Sequence, residues 1–494
     1  MNRHPDRRTT RRRFLITAAQ TGGPLALAGM ACARAGGASR RPPNVLWIMT
    51  DDHRPDSLGC AGPDGPKTPH IDRIARRGVH FRHAFSQGPI CTPSRSSIIT
   101  GRYCHAIGVM SNGNRLAPDA PYLTRPLQEA GYRLVNVGKK LPSPRIFDVH
   151  VRPPGYGGPG ATPYELKPEF AAREKELGVL HLKEEFPIII AGRYPLPASE
   201  TEPAITVTGA IRQIEAGLKA PWMLRVSIIA PHTPILAPEP FDTMYDPAEV
   251  AFQPPTEEEL AAKPRYEREM LQKCQGSRHL SEEEIRRSRA CYRGLVSHVD
   301  DQIGRLLAAM DERRLLDDTL VVITSDQGVL LGEHGLFMKR NFYEQSAGGI
   351  LIVSWPGRLP EGKVIDDPVE LIDVMPTMLD AAGVRPPSTV QGRSLLPLIA
   401  GREPGRDAVF CEIDFTKPQF ERYYLPNSRR VMVRTRDWKT SYFVDRSGDA
   451  RDGDLYHLAD DPDEVRNLWG DKTYADVVAR LEARVRQWDE ETKG

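Results

Sequence analysis

Residues 89–101 read Pro-Ile-Cys-Thr-Pro-Ser-Arg-Ser-Ser-Ile-Ile-Thr-Gly, a run in which every type has a physical use. Thr92 is a good N-cap and Pro93 suits the first helical position. Ile98 and Ile99 give the helix an apolar side, and Gly101 can end it. Cys91 is thus expected just outside a helix N-terminus, where unpaired N–H groups favour negative charge, with Arg95 one turn on and pointing back. Elsewhere Asp51-Asp52, Asp326 and the Gln327 side-chain oxygen make an oxygen-rich set, the kind hard divalent cations such as Ca2+ prefer. Lys139, His232 and Lys339 each follow an apolar run. Taken singly these features also have plain readings: a buried structural cysteine, a solvated turn after a strand, a loop lysine, a histidine shaping a turn between prolines.

The elements that position these residues decide between the readings. Asn44–Met49 is an apolar run that ends at Asp51-Asp52; Tyr132–Val137 leads to Gly138-Lys139; Met223–Ile229 leads to Pro231-His232; Thr319–Thr324 leads to Ser325-Asp326. Helical patterns lie between them, at 68–77, 123–130, 281–313 and 370–382. Alternating strands and helices predict an α/β fold with a large, mainly parallel sheet flanked by helices. Ligands on such sheets gather at the carboxyl ends of the strands, where all four runs deliver polar residues. Residues 145–200 and 235–275 are Pro- and Gly-rich or weakly periodic, and read as surface excursions able to shape a substrate pocket. Beyond residue 400, runs at 408–413, 430–434 and 440–444 read as short antiparallel strands, and 476–488 as a closing helix. The organisation is therefore a leader over 1–35, an α/β domain over 42–395 and a smaller α+β subdomain over 400–494.

The Cys-Thr-Pro-Ser-Arg run at Cys91–Arg95 resembles the signature of the type I sulfatases of the alkaline phosphatase superfamily. The resemblance extends from about residue 42 to 470, including Asp454–Leu458, Asp461-Pro462 and Asn467-Leu468. It implies that Cys91 is oxidised to formylglycine by a formylglycine-generating enzyme. The hydrated aldehyde would attack the sulfur of a sulfate ester, and a covalent intermediate would then eliminate sulfate. It further implies that Asp51, Asp52, Asp326 and Gln327 bind Ca2+, ahead of Mg2+, in contact with residue 91. Arg95 and Lys139 would orient and polarise the nucleophile. Lys139, His232 and Lys339 would cradle the sulfuryl oxygens, with His232 or Lys339 protonating the leaving alcohol.

Three departures from the family pattern stand out. Gln327 replaces the usual Asn or His. Leu141 and Pro142 stand where a histidine that helps collapse the intermediate is common, leaving His53, His105 and His150 as substitutes. Gly348-Gly349 stand where Arg-Val often follows the Tyr343–Ser346 stretch. Motif order looks closest to iduronate-sulfatase-like and choline-sulfatase-like members, which points to a sulfated glycan or another small sulfate ester. Two rivals follow: a phosphonate monoester or phosphodiester hydrolase on the same fold, and an idle calcium-dependent binder of sulfated glycan.

Composition bounds the rest. The 494 residues have a formal net charge of +2, but residues 1–35 carry seven Arg and one Asp, leaving 60 basic and 64 acidic residues. That balance gives no reason to expect nucleic acid as a partner. Thr10–Leu15 resembles a twin-arginine export motif, followed by an apolar stretch and Ala33-Arg34-Ala35 as a cleavage site. The expectation is a periplasmic or otherwise extracytoplasmic protein, handled by the twin-arginine machinery, with Cys32 as an alternative lipid anchor. Seven cysteines without a CxxC spacing leave room for one or two disulfides and suggest no zinc site.

Overall fold

Four apolar runs become the middle of one eight-stranded sheet. The computed structural model describes residues 41–141, 146–151, 168–182, 188–273, 276–414, 428–445 and 452–493. The leader with Cys32, and also Pro142 and Cys274, lie outside the described residues. The sheet's strands are Asn44–Asp51 (β1), Val79–Phe81 (β2), Arg133–Gly138 (β3), Val149–Val151 (β4), Trp222–Pro231 (β5), Thr319–Ser325 (β6), Leu351–Ser354 (β7) and Lys363–Ile365 (β8). Their order is β8-β2-β7-β6-β1-β5-β3-β4. All run parallel except β7, which is antiparallel to both β6 and β2. The α/β expectation holds. The short strands β2, β4, β7 and β8 were not foreseen, because three or four residues carry no readable period.

Every residue of β1 is buried, as a central parallel strand covered on both faces must be. Its alternation divides the core. Leu46 and Ile48 face one apolar cluster; Val45, Trp47 and Met49 face the other. The covering helices are Pro69–Arg76 (α1), Cys91–Thr100 (α2), Glu202–Glu215 (α3), Glu282–Asp311 (α4) and Val374–Ala381 (α5). Helices α1, α3 and α4 pack on the Leu46 side, and α2 and α5 on the Val45 side. The long α4 starts on a capping box: the Ser281 hydroxyl accepts from the Glu284 amide while the Glu284 carboxylate accepts from the Ser281 amide.

The C-terminal region forms a four-stranded antiparallel sheet, Val409–Asp414 (β9), Ser428–Arg434 (β10), Trp438–Asp445 (β11) and Gly453–His457 (β12), paired in sequence order. A helix, Ala475–Thr492 (α6), closes over it. Leu481, Val485 and Trp488 pack on Phe410, Val431 and Val433, with the Trp488 and Phe410 rings stacked 4.9 Å apart. The 235–275 stretch is only partly a surface excursion. Its helix Arg265–Lys273 sinks Tyr266 and Met270 into a cluster shared with Cys411, Met432 and Phe443 of the C-terminal sheet. Similarly, the 145–200 stretch contributes β4 to the main sheet.

Cys60, Cys91, Cys104, Cys291 and Cys411 are all free thiols, so the expected disulfides do not form among the described residues. Cys104 Sγ lies 3.2 Å from Ser97 Oγ, while Cys291 Sγ bonds the carbonyls of Gly192 and Ile235. Among the described residues no helix is long and apolar enough to cross a membrane.

Candidate active site

The carboxyl edge of the sheet gathers the residues singled out above. Strand β1 ends in Asp51 and Asp52, β6 leads to Asp326 and Gln327, β3 to Lys139 and β5 to His232. Each delivery depends on local backbone. Gly138 has φ +93°, and a Cβ there would lie 2.2 Å from the Ser227 carbonyl oxygen. Only glycine lets β3 turn so closely against β5, where the Lys139 amide donates to that same carbonyl at 2.8 Å. Asp52 is itself left-handed (φ +55°). Its amide donates to Asp326 Oδ1 at 3.2 Å and its carbonyl accepts from the Tyr292 hydroxyl at 2.8 Å, which fixes the turn.

Cys91 is the first residue of α2, with Ile90 as N-cap, rather than a residue just outside the helix. The capping role expected of Thr92 is absent because the helix begins two residues earlier, and the Thr92 amide donates to Asn112 Oδ1 at 3.0 Å. Gly101 ends the helix as expected, in the left-handed conformation. The Cys91 sulfur lies 3.3 Å from Asp51 Oδ1, 2.9 Å from Lys339 Nζ and 3.5 Å from Gln327 Nε2. Arg95 does point back, but its bonds go to the residues beside Cys91. Nε donates to Asp326 Oδ2 at 2.7 Å, Nη2 to Asp51 Oδ2 at 2.9 Å and Nη1 to Ser227 Oγ at 2.9 Å. Lys139 Nζ also donates to Asp51 Oδ2. Lys339 Nζ bonds both oxygens of Asp52, at 2.6 and 2.9 Å, and His232 Nε2 lies 3.6 Å from Asp52 Oδ2.

Three carboxylates and three permanent cations are thus interleaved in a site where Asp51, Asp52, Asp326 and Arg95 are each at most 1% exposed. Burial opposes ionisation of Asp51, but Lys139 and Arg95 outweigh it and hold its carboxyl well below the usual range. Asp326, with Arg95 as its bonded cation and Asp51 beside it, is pushed upward by burial and by that like charge. Burial, then Asp51, push the Cys91 thiol up to about 11. Unmodified, Cys91 is a poor nucleophile at neutral pH.

All the sequence-predicted site residues meet here. The substitute histidines do not. His53 is spent on Thr50 Oγ1 (3.3 Å) and the Ser57 carbonyl (3.0 Å), His105 on Glu412 (2.7 Å), and His150 on Asn136 (2.8 Å). Leu141 is buried in the apolar cluster on the Val45 side. Gly348 and Gly349 pair with Phe85 and Ala84, and a Cβ at 348 would lie 2.4 Å from the Glu344 carbonyl oxygen. Sequence reasoning missed Ser227, which receives Arg95, and Tyr292, which pins Asp52. A serine inside the mainly apolar 223–229 run was the available signal for the first; α4's tyrosine had none.

Ligand atoms of Asp51, Asp52, Cys91 and His232 lie within 4.8 Å of one another. Gln327 Oε1 is buried without a hydrogen-bond partner, while its Nε2 faces Asp52 Oδ1 at 2.7 Å. The amide is near-isosteric about its axis, so a half-turn aims that unpaired oxygen at the carboxylates. Carboxylate and amide oxygens suit a hard divalent cation; the soft thiol of Cys91 does not, whereas oxygens at position 91 would.

The chain resembles known proteins over most of its length. The Sulfatase family model matches residues 43–384, and a model of the N-sulphoglucosamine sulphohydrolase C-terminal region matches 332–491. The chain is 28% identical to an N-acetylglucosamine-6-O-sulfatase of Bacteroides thetaiotaomicron, over 92% of this chain and 87% of the relative. It is also 28% identical to a choline-sulfatase of Rhizobium meliloti, over 91% and 87%. Among solved structures, the phosphonate monoester hydrolase SpPMH from Silicibacter pomeroyi superposes with a TM-score of 0.77 at 27% identity, covering 91% of this chain and 96% of that one. With a family model spanning most of its length and that family's signature cysteine at the centre of the carboxyl-edge site, this chain belongs to the sulfatase family, whose members hydrolyse sulfate esters.

Proposed function

We propose that the protein releases sulfate from a sulfated glycan, using a formylglycine made from Cys91 and a Ca2+ ion held by Asp51, Asp52, Asp326 and Gln327. The observation that carries this reading is the position of the Cys91 sulfur, within 3.5 Å of an acidic, a cationic and an amide side chain at the sheet's carboxyl edge. A formylglycine hydrate at position 91 would supply one hydroxyl for attack on sulfur and a second for elimination of sulfate, and a metal held by the four residues would supply positive charge.

The chain's own residues do the rest. Arg95 locks Asp51 and Asp326 in place from below, being itself 1% exposed. Lys139, whose side chain is 27% exposed, is the cation at the entrance, available to a sulfuryl oxygen while it holds Asp51. His232 Nδ1 lies 2.6 Å from the Thr233 carbonyl and must donate there, so Nε2 is the nitrogen turned toward the site. As an imidazolium, with a proton on each nitrogen, the ring can hold a sulfuryl oxygen through Nε2–H or give that proton to the departing alcohol. Lys339 sits between Asp52 and position 91 and balances charge that develops on the sulfuryl group. The glycan assignment rests on the likeness to an N-acetylglucosamine-6-O-sulfatase.

A second reading, a phosphonate monoester or phosphodiester hydrolase, is favoured by the likeness to the Silicibacter pomeroyi enzyme. Both are tested by comparing sulfate, phosphodiester and phosphonate esters of one phenol on the matured enzyme. A kcat/KM highest for the sulfate, abolished by Cys91→Ala, supports the first reading. A phosphonate preference of tenfold or more would replace it, and ligand binding without turnover in either form would leave only an idle binder. Export by the twin-arginine route to an extracytoplasmic location belongs to the same proposal, since the leader precedes the described region.

A further inference from the structure

Lys339 is held in an unusual piece of backbone. Between Gly332 and Arg340 five residues are left-handed, and three of them, His334 (φ +58°), Met338 (φ +70°) and Arg340 (φ +78°), are not glycine. Met338 and Arg340 flank Lys339 on both sides. Non-glycine residues are costly in this region and stay there only where their surroundings over-determine them. On the N-terminal side the cause is visible, since Leu330-Leu331 pair with Met338 and Phe337 as a short antiparallel ladder.

The C-terminal side is gripped from outside the α/β sheet. The Tyr266 hydroxyl donates to the Arg340 carbonyl at 2.6 Å. Its neighbour Glu267 accepts from the Tyr343 hydroxyl at 2.5 Å, and Lys263 donates to that same hydroxyl at 2.9 Å. From β11, Lys439 Nζ donates to the Phe342 carbonyl at 2.8 Å. Tyr266 is fully buried, with its ring 5.3 Å from Phe443. The helix of the 235–275 stretch is therefore wedged between the C-terminal sheet and the lysine-bearing loop.

We propose that Tyr266 is a positioning residue for Lys339: through the Arg340 carbonyl it holds the left-handed turn that keeps the ammonium on Asp52 and position 91. The assignment rests on the role given to Lys339 under Proposed function. It gives the Arg265–Lys273 helix a task at the reaction centre other than lining a substrate pocket.

The test uses Tyr266→Phe, which removes one oxygen and keeps the ring, in the full-length matured enzyme with aryl sulfates of graded leaving-group acidity. Loss of this one bond should lower kcat about tenfold with KM within about twofold, the loss being larger for poor leaving groups. Thermal melting should move by only a few degrees. In a crystal structure of Tyr266→Phe, Lys339 Nζ should have left hydrogen-bonding distance of the Asp52 carboxylate. In a Lys339→Met background Tyr266→Phe should cost nothing further, because a residue that acts through Lys339 has nothing left to position. Losses that multiply in the double variant, or a Lys339 ammonium still bonded to Asp52 in the single variant, would overturn the assignment. If Lys339→Met alone kept full turnover, the role of Lys339 would fall instead, while the place of Lys339 Nζ in Tyr266→Phe would still decide whether Tyr266 positions it.

Discussion

Lys339 Nζ lies 2.6 and 2.9 Å from the two carboxylate oxygens of Asp52 and 2.9 Å from the Cys91 sulfur, although 287 and 248 residues separate it from them. An ammonium buried among these groups cannot lose its proton easily. Burial opposes the charge, but Asp52, Cys91 and Asp51 more than compensate, so Lys339 stays protonated across the neutral range. Lys339→Met should therefore cost about 10²–10³-fold in kcat/KM by removing a charge aimed at the sulfuryl group. Steady-state kinetics on an aryl sulfate checks this, with Lys339→Arg expected to recover little, since a planar fork does not fit a point-charge position.

Arg95 is bonded to Asp51, Asp326 and Ser227 at once. Lysine has no geometry that reaches all three acceptors. Arg95→Lys should lose roughly 3 kcal/mol of stability, because buried carboxylates are left without their partner. Urea unfolding would measure it; a change under about 0.5 kcal/mol would mean the cluster relaxes freely.

Gln327 Oε1 is the one donor of the proposed metal set that is buried without a partner. Gln327→Leu should weaken Ca2+ binding about 10–100-fold while leaving the apo fold intact. Calorimetric titration of chelator-treated protein gives the affinity, and a calcium-dependent rise in melting temperature should shrink in parallel.

Gly138→Ala should be among the most damaging single-methyl changes in the chain. The added Cβ would meet the Ser227 carbonyl at 2.2 Å in a residue held at φ +93°. A loss of about 2–4 kcal/mol is expected, together with a displaced Lys139 and a lower kcat/KM. Stability and activity falling together would support this; activity unchanged at full stability would contradict it.

Acid sensitivity should arise partly at His298, a buried histidine of α4. Thr201 Oγ1 donates to the Ala198 carbonyl, so it accepts from His298 Nε2 at 2.7 Å and leaves Nδ1 bare and unpartnered among the described residues. Burial, with Arg305 nearby, pushes this histidine down from 6.5 to about 4. The unfolded chain takes up the proton first, so stability is full above pH 6.5 and falls as pH drops toward 4. One such group contributes about 3 kcal/mol over that window. His298→Gln should flatten the acid limb of stability against pH between 6.5 and 4, and an unchanged slope would sink the assignment.

Much of this site was legible in the chain because its chemistry is carried by local signals. Apolar runs ending in Asp51-Asp52, Lys139, His232 and Asp326 placed those residues at the carboxyl edge. The Cys91–Arg95 run announced both the helix and the cysteine at its start. What escaped was set by packing between distant segments. Arg95 was expected to act on Cys91 directly, yet it binds Asp51 and Asp326, a choice that depends on where β1 and β6 lie beside α2. Tyr266 sits in a segment with no motif, and its value comes from a loop 74 residues away. Cysteine number left room for one or two disulfides, but number does not say which thiols meet, and the five cysteines among the described residues are free.

The most direct test of the central claim joins chemistry at position 91 to turnover. Protein co-expressed with a formylglycine-generating enzyme would be digested with trypsin, and peptide His83–Arg95 weighed in parallel with sulfate-release kinetics on the same preparation. The account predicts a peptide lighter by the thiol-to-aldehyde difference, in a fraction that tracks kcat from batch to batch. Full sulfate release from protein whose Cys91 is entirely unmodified would contradict it.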